Sequence, residues 1–479
     1  MNFDRRLIYA SFAAFVVYML YLFFGPDYVA YPLPSYTSEE ALAKIEQEAE
    51  KLGLEPIPEE NIYYKEIVAN SSLGRYIDAN ELSEEELLAL HEEVAIQTFE
   101  VSSFLQVYGY DMEHERLTKA ESIYLEKDPD QFVAEYFGEQ YEPKGKETDI
   151  FGDTILTYVK ETKYPDILDI VEVTVNEDVI IGFEQYGLAR GFPKAELSVV
   201  EMLASLFVLF ILIGLVAVAT IHLIVKSAKK QIEAFWEPLM LTAVAGFGWF
   251  FITKALGSGS SFFSMIETLM MIYLTLVALL IRWKKSTLTF RERLIKLQPS
   301  VVHGLALMFI SVLLSEAFFF FAKFFDAWGS PVTSHIVLSQ LDLWLIPVFT
   351  LFIGLSAAIT EEAVFRNYLV PIFDRVGVLF SLILTSFLWG IFHIGYHMYP
   401  WYLYVLEFIV ITGPLFYFAY KRYGFTTAIF LHYFYNAWVT TIFLFTVDVK
   451  VALVSLFVTL SPFLVFLAGK NEQAWQPEM

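Results

Sequence analysis

The chain is 479 residues long, 56% hydrophobic and 17% aromatic, with a mean hydropathy of +0.51; that is too apolar for one soluble domain and indicates a polytopic membrane protein. The net charge of −23 is uneven: residues 31–197 hold 38 Asp+Glu against 13 Lys+Arg, a balance of −25, so the remainder carries +2. This acidity excludes a basic nucleic-acid footprint, and the absence of cysteine excludes disulfides and thiolate metal sites.

In chain order, Leu7–Phe24 follows Asp4-Arg5-Arg6 and runs without a charge for about one span, with no small-x-small cleavage site after it. It reads as an uncleaved anchor, giving residues 1–30 as an N-terminal transmembrane segment. Residues 31–196 read as an acidic α+β domain. Thr37-Ser38-Glu39-Glu40 and Ser83-Glu84-Glu85-Glu86 each fit a capping box before a helix. Val171, Val173 and Val175 then alternate with polar residues, Asn176-Glu177-Asp178 offers a turn, and Val179–Phe183 returns, which predicts a hairpin joined by Ile155–Val159. His91 and His114 have no ligand-like spacing and read as ordinary domain residues. Asn70-Ser71-Ser72 matches a glycosylation acceptor, a pattern too common to use.

Further apolar runs occupy Leu197–Val225, Pro238–Ile252, Phe262–Ile281, Val302–Phe321, Leu341–Ala358, Val378–Ile394, Tyr402–Tyr420, Thr426–Phe445 and Val451–Ala468. With the anchor these predict an all-α polytopic membrane protein of about ten transmembrane helices carrying an inserted extracytoplasmic α+β domain. Residues 197–300 would form helices and a loop, and residues 301–470 the functional core. Lys226, Lys229, Lys230, Arg282, Lys284, Lys285, Arg291, Arg293, Lys296, Arg375, Lys421, Arg422 and Lys470 fall on one side, and only Lys254, Lys323 and Lys450 on the other. The positive-inside rule then puts both termini in the cytoplasm and the acidic domain outside, in an integral, multi-pass protein of a prokaryotic plasma membrane.

Polar residues inside three of these runs carry the chemistry. Thr360-Glu361-Glu362-Ala363-Val364-Phe365-Arg366, Trp389-Gly390-Ile391-Phe392-His393 and His432-Tyr433-Phe434-Tyr435-Asn436 place ionisable side chains where each costs roughly 2.5–3.5 kcal/mol. Glu362 and Arg366 lie four apart and pair on one helical face, leaving Glu361 without a basic neighbour within a turn. His432 and Asn436 share a face, as do Trp389 and His393. Counted from the flanking basic turns, Glu361, His393, His432 and Asn436 sit roughly 15–27 Å deep, close to mid-bilayer.

The three motifs resemble the CPBP family of intramembrane proteases, which includes the CAAX-processing Rce1-type enzymes and the bacterial Abi proteins. The family pattern is EExxxR, FxxxH and HxxxN or HxxxD on consecutive spans, and the order and spacing agree over roughly residues 300–445. Trp389 stands where the family usually has Phe. The resemblance implies an intramembrane endopeptidase in which Glu361 and His393 activate a water while His432 and Asn436 stabilise the oxyanion, with a peptide or membrane-protein substrate in the bilayer and no nucleic acid.

Read from the residues, Glu362 and Arg366 form a supporting pair and Trp389 is packing. No cofactor is expected, but zinc held by Glu361, His393 and His432 stays open, since two histidines and a carboxylate are a common zinc set. A non-catalytic scaffold or immunity-like protein binding a partner through the acidic domain, and a proton-coupled transporter, are the competing classes; no repeat between halves supports the latter. Tyr396 and His397 read as interfacial, His303 as snorkelling to the surface, and Glu267, Glu316 and Glu407 as hydrogen-bonded inside other spans. Oligomeric state is not legible.

Overall fold

A computed structural model describes residues 4–24, 38–58, 61–62, 64–80, 82–103, 106–149, 151–192, 199–255, 262–325, 327–329, 344–394, 398–445 and 448–469. Thr37, Tyr396, His397 and Lys470 lie outside the described residues, as does the beginning of the run expected at Leu341.

After helix α1 (Arg5–Phe24), the acidic region folds around one eight-stranded sheet: β1 (Tyr64–Ala69), β2 (Gln97–Ser102), β3 (Val107–Asp111), β4 (Arg116–Leu125), β5 (Glu142–Thr148), β6 (Thr154–Glu161), β7 (Ile167–Asn176) and β8 (Val179–Ala189). Its order is β1-β2-β3-β4-β8-β7-β6-β5, and every neighbouring pair is antiparallel. The hairpin expected around Asn176 is β7–β8, with Ile155–Val159 inside β6. Its two turn residues, Glu177 and Asp178, both have positive φ (46° and 68°), the conformation whose twist matches that of the paired strands. The sheet is larger than the alternating valines indicated, because β1, β3, β4 and β5 mix polar and apolar residues without strict alternation and β2 alternates over only six residues.

Four helices accompany the sheet: α2 (Ser38–Leu52), α3 (Ser71–Asn80), α4 (Glu84–His91) and α5 (Pro129–Tyr136). Ala41, Ile45 and Ala49 recur every four residues on α2 and join Phe132 and Val133 of α5 in a core with Phe99, Tyr108, Val173 and Phe183. Leu73, Ile77, Leu87 and Leu90 of α3 and α4 form a second, smaller cluster with Ile167 and Ala189. The capping box expected at Ser83 forms with Glu86. Asn70 instead serves as a cap: its Oδ1 accepts from the amides of Ser72 and Leu73, and its Nδ2 donates to the Gly187 carbonyl at 2.8 Å.

The apolar remainder is helical: α6 (Val199–Ala228), α7 (Trp236–Ala255), α8 (Phe262–Arg282), α9 (Phe290–Ala322), α10 (Ile346–Phe373), α11 (Val378–Ile391), α12 (Tyr402–Tyr423), α13 (Phe425–Leu444) and α14 (Val449–Thr459), then a 3-10 turn Ser461–Ala468. The expected count of about ten crossings is not reached on length and composition. Among the described residues six helices qualify, α1, α6, α8, α9, α10 and α12, or seven if α14 and Ser461–Ala468, bent by 41°, form one broken span. At 14 residues α11 is short of the roughly 20 that a crossing needs, and α7 and α13 also fail the test; α13 is diluted by His432, Asn436, tyrosines and threonines.

Two glycines set the position of α13. A Cβ on Gly304 of α9 would lie 2.9 Å from the Leu431 backbone nitrogen, and one on Gly354 of α10 would lie 2.9 Å from the Tyr433 carbonyl oxygen. Both helices therefore approach the α13 backbone on either side of His432, the close contact that small residues permit between membrane helices. The first helix is also tied in, because the Asp4 amide donates to Nε2 of His303 (3.2 Å) and Tyr423 donates to Asp4 (3.0 Å). His303 is thus a buried partner of the α1 terminus and does not snorkel.

The sheet domain touches the membrane body. The guanidinium of Arg75, buried on α3, lies 4.0 Å from the ring centre of Tyr399. Met398–Tyr399 pairs with Trp328–Gly329 as a two-residue antiparallel ladder close after α11.

One titratable contact gives this domain a pH signature. His114, on the turn between β3 and β4, pairs through Nδ1 with the buried Asp111 carboxylate, which raises the imidazole's pKa above its ordinary value against the opposing effect of burial. The stabilisation is complete below the unfolded pKa of about 6.5 and is lost as pH rises through the raised folded value. The sheet's thermal midpoint, followed by circular dichroism on the whole protein, is expected to fall as pH rises above about 6.5. In His114→Gln that slope flattens; an unchanged slope removes His114 as its source.

Candidate active site

The polar motifs meet where α10, α11 and α13 converge. In α10 the regular α-helix ends at Glu361, and Glu362–Leu369 continues as a π-helix. Its i→i+5 bonding widens the turn, so successive side chains advance by less than the ~100° of an α-helix. Glu361, the last residue of the α-helix, and Glu362, the first of the π-helix, both reach toward His432.

Glu361 is not isolated, as its lack of a nearby basic residue suggested. The indole N–H of Trp389 donates to Glu361 Oε2. The same oxygen faces His393 Nε2 at 3.8 Å and His432 Nε2 at 3.9 Å. These separations exceed a direct hydrogen bond and match groups bridged through a small third partner. Each histidine is held from behind by its other nitrogen: His393 Nδ1 lies 2.9 Å from the Trp389 carbonyl, and His432 Nδ1 lies 2.9 Å from Glu362 Oε1. The back-side acceptors assign the Nδ1 proton and leave both Nε2 atoms turned toward Glu361.

Glu362 and Arg366 pair as expected, with Arg366 Nη1 3.5 Å from Glu362 Oε1, and both are almost fully buried. The pair has a second function, since the shorter bond of Glu362 goes to His432. Arg366 also lies flat against Trp389, its guanidinium carbon 3.7 Å from the ring centre, with Phe416 at 5.2 Å. The cation–π contact and the ion pair together offset the removal of the guanidinium from water. Trp389 is accordingly more than packing: its faces and edges hold Arg366, Phe408 and His432, while its N–H holds Glu361.

Asn436 lies one turn beyond His432 on α13 and is half-buried; among the described residues its side-chain amide makes no hydrogen bond. Three of the four residues expected to carry chemistry are thus brought together, and the fourth flanks them on the helix of His432. Phe408 and Phe416 were not legible as site residues. Phe408 stands 4.5 Å from the rings of both His393 and Trp389, and Phe416 lies 5.4 Å from His432. In sequence they are aromatics in an apolar run, with nothing to separate wall from core. A second π-helix, Phe408–Thr412, begins at this wall, following the buried Glu407, which accepts from Thr412 at 2.6 Å. Among the described residues no three His, Asp or Glu side chains are arranged to hold a metal ion.

Residues 343–438, which carry this whole cluster, match the family model described as type II CAAX prenyl endopeptidase Rce1-like. This segment is Rce1-like. The match agrees with the resemblance carried by the three motifs, and it covers α10 to most of α13, leaving the sheet domain and the helices before α10 outside it. Comparison with curated proteins and with solved structures gave no match. At the level of the family, the Rce1-like segment indicates a CAAX-type protease in a multi-pass membrane protein.

Within the Rce1-like segment Arg366 is the residue whose loss should register first as instability. Arg366→Ala leaves Glu362 buried without its cation and is expected to cost on the order of 3–5 kcal/mol. Thermal unfolding in detergent should show a lower midpoint and a reduced yield. A variant of wild-type stability would show that Glu362 is neutralised by another group.

Proposed function

We propose that the protein is an intramembrane endopeptidase that hydrolyses a peptide bond in a membrane-associated protein or peptide. The observation that carries this reading is the single carboxylate oxygen of Glu361 faced by Nε2 of both His393 and His432. In the reaction proposed, a water between Glu361 and His393 attacks the scissile carbonyl carbon while Glu361 accepts its proton. A C–O bond forms, and the former carbonyl oxygen takes the negative charge. The Asn436 amide donates to that oxyanion, and so does His432 in its imidazolium form, whose Nδ1–H stays with Glu362 while its Nε2–H is free to donate. Collapse breaks the C–N bond, and Glu361 or His393 returns the proton to the leaving amine. Trp389 keeps the Glu361 carboxylate turned toward the two histidines, a task the usual Phe at this position has no N–H to perform. Zinc on Glu361, His393 and His432 is the alternative chemistry, in which Glu361 would be a ligand.

We also read α7, α13, the shorter α11 and the bent α14 pair as crossings, which with the six qualifying helices restores ten. Both termini would then be cytoplasmic and the acidic sheet domain extracytoplasmic. The sheet domain, joined to the body at Arg75 and Tyr399, would guard or present substrate on the outer side.

Glu361→Gln is expected to lower turnover of a peptide substrate by about 10²–10⁴-fold, the usual contribution of a general base, with the folded protein recovered in normal yield. Trp389→Phe should reduce kcat with little change in KM, because it disturbs the carboxylate and not substrate binding. Activity should persist after prolonged chelation. Near-normal turnover of Glu361→Gln discards the base; reversible loss on chelation, restored by zinc, makes Glu361 a ligand.

Orientation has its own test. In this cysteine-free chain, Lys144→Cys in the sheet domain and Gly377→Cys before α11, where a side chain meets open space, are both accessible probes. A membrane-impermeant thiol reagent on intact cells should label the first and spare the second. The opposite pattern inverts the topology.

A further inference from the structure

A second constellation lies away from the catalytic cluster, where α6 and α8 end. A cavity of about 320 Å³ is lined there by Lys226, Arg282, Lys284, Trp283, Glu233 and Asn367, among others. Lys226 is in the last turn of α6, and Arg282 closes α8. Lys226 donates to the Ile281 carbonyl at 3.0 Å, which fixes the two helix ends side by side. Both are the ends of apolar helices long enough to cross a membrane, so the cavity sits at the level where hydrocarbon gives way to headgroups.

The charge at this place is unbalanced. Three cations line the cavity against one carboxylate, Glu233, and among the described residues none of Lys226, Arg282 and Lys284 has an acidic partner within ion-pair distance. Arg375 adds to the field, for its charge reaches His222 on α6 together with those of Lys226 and Arg282. Asp374, next to Arg375 in sequence, is taken by Lys421 at 2.6 Å. The exposed carbonyls of two helix ends supply only about half a negative charge each. Cations gathered without a counter-charge repel one another unless an anion joins them, and an indole beside them is the usual marker of the membrane interface.

We propose that this cavity is a binding site for the phosphate headgroup of an anionic glycerophospholipid, held by Lys226, Arg282 and Lys284 with Trp283 at the acyl boundary. The site also bears on the catalytic helix. Arg282 Nε donates at 3.0 Å to the carbonyl of Asn367, the residue after Arg366 in the π-helical stretch. A headgroup that orders Arg282 therefore braces the end of the segment that carries Glu362 and Arg366. The assignment stands on charge and position and does not depend on the peptidase reading.

The test is a thermal-unfolding titration of the whole protein in phosphate-free detergent, read by tryptophan fluorescence. Phosphatidylglycerol, phosphatidylcholine of the same chain length and inorganic phosphate are added separately. Phosphatidylglycerol is expected to raise the midpoint saturably, phosphatidylcholine to leave it unmoved, and inorganic phosphate at the same concentration to have a lesser effect. The double variant Lys226→Gln/Lys284→Gln should need on the order of tenfold more phosphatidylglycerol for the same shift. Lys144→Gln/Lys146→Gln on the exposed strand β5 should behave as wild type. The single Lys284→Gln, which removes an exposed side chain, tests the site if the double variant is unstable, and should need severalfold more lipid. Equal responses to the two lipids, an undiminished response in the variants, or full reproduction of the shift by inorganic phosphate would overturn the proposal.

Discussion

Two adjacent carboxylates, Glu361 and Glu362, sit in the interior of a bundle whose neighbouring side chains are largely apolar, and the surrounding structure has to make that burial tolerable. Glu362 is neutralised by Arg366, which is itself buried and gains a second partner in the face of Trp389. Among the described residues Glu361 has no Lys or Arg in direct contact. Its compensation comes from the Trp389 N–H and from two imidazoles held just beyond hydrogen-bond distance. The neighbours differ in their partners: Glu362 gives Oε1 to both Arg366 and His432 while its Oε2 is buried with no hydrogen-bond partner among the described residues, and Glu361 gives Oε2 to the Trp389 N–H. A buried carboxylate without a cation beside it is suited to taking up a proton, whereas one held in an ion pair serves to orient.

This arrangement depends on backbone proximity as much as on the polar residues. His432 reaches both glutamates because Gly304 and Gly354 let α9 and α10 close on the α13 backbone at Leu431 and Tyr433. The helix that carries both glutamates widens to a π-helix directly after Glu361. Phe408 and Phe416 complete the enclosure, and by excluding water they strengthen each remaining electrostatic contact.

The sheet domain and the membrane body meet through few but specific contacts. Arg75 of α3 covers Tyr399, and Tyr399 belongs to the short ladder that follows the His393 helix. The acidic domain is thus coupled to the same stretch of chain that carries a proposed catalytic histidine. Its two apolar clusters are its own, separate from the core of the bundle. A domain with an independent core can move as a unit, and a cation resting on an aromatic ring is a contact that can be remade.

What the amino-acid order determined by itself was local and periodic: long apolar runs, an acidic insertion, the β7–β8 hairpin with its turn, the capping box at Ser83, and three polar motifs whose cost in a membrane demanded a shared purpose. These are legible because burial energy and hydrogen-bond satisfaction act within one element. The remainder of the sheet was less legible, since strands such as β5, exposed along its whole length, bury no alternating face. Only the tertiary structure decided that Trp389 bonds Glu361, that Glu362 serves His432 as well as Arg366, that His303 holds the Asp4 terminus, and that Phe408 and Phe416 are walls. Each of these is a contact between residues distant in sequence. The π-helix is local in sequence but is selected by the packing around it, and side-chain spacing counted on an α-helix has no means of announcing it.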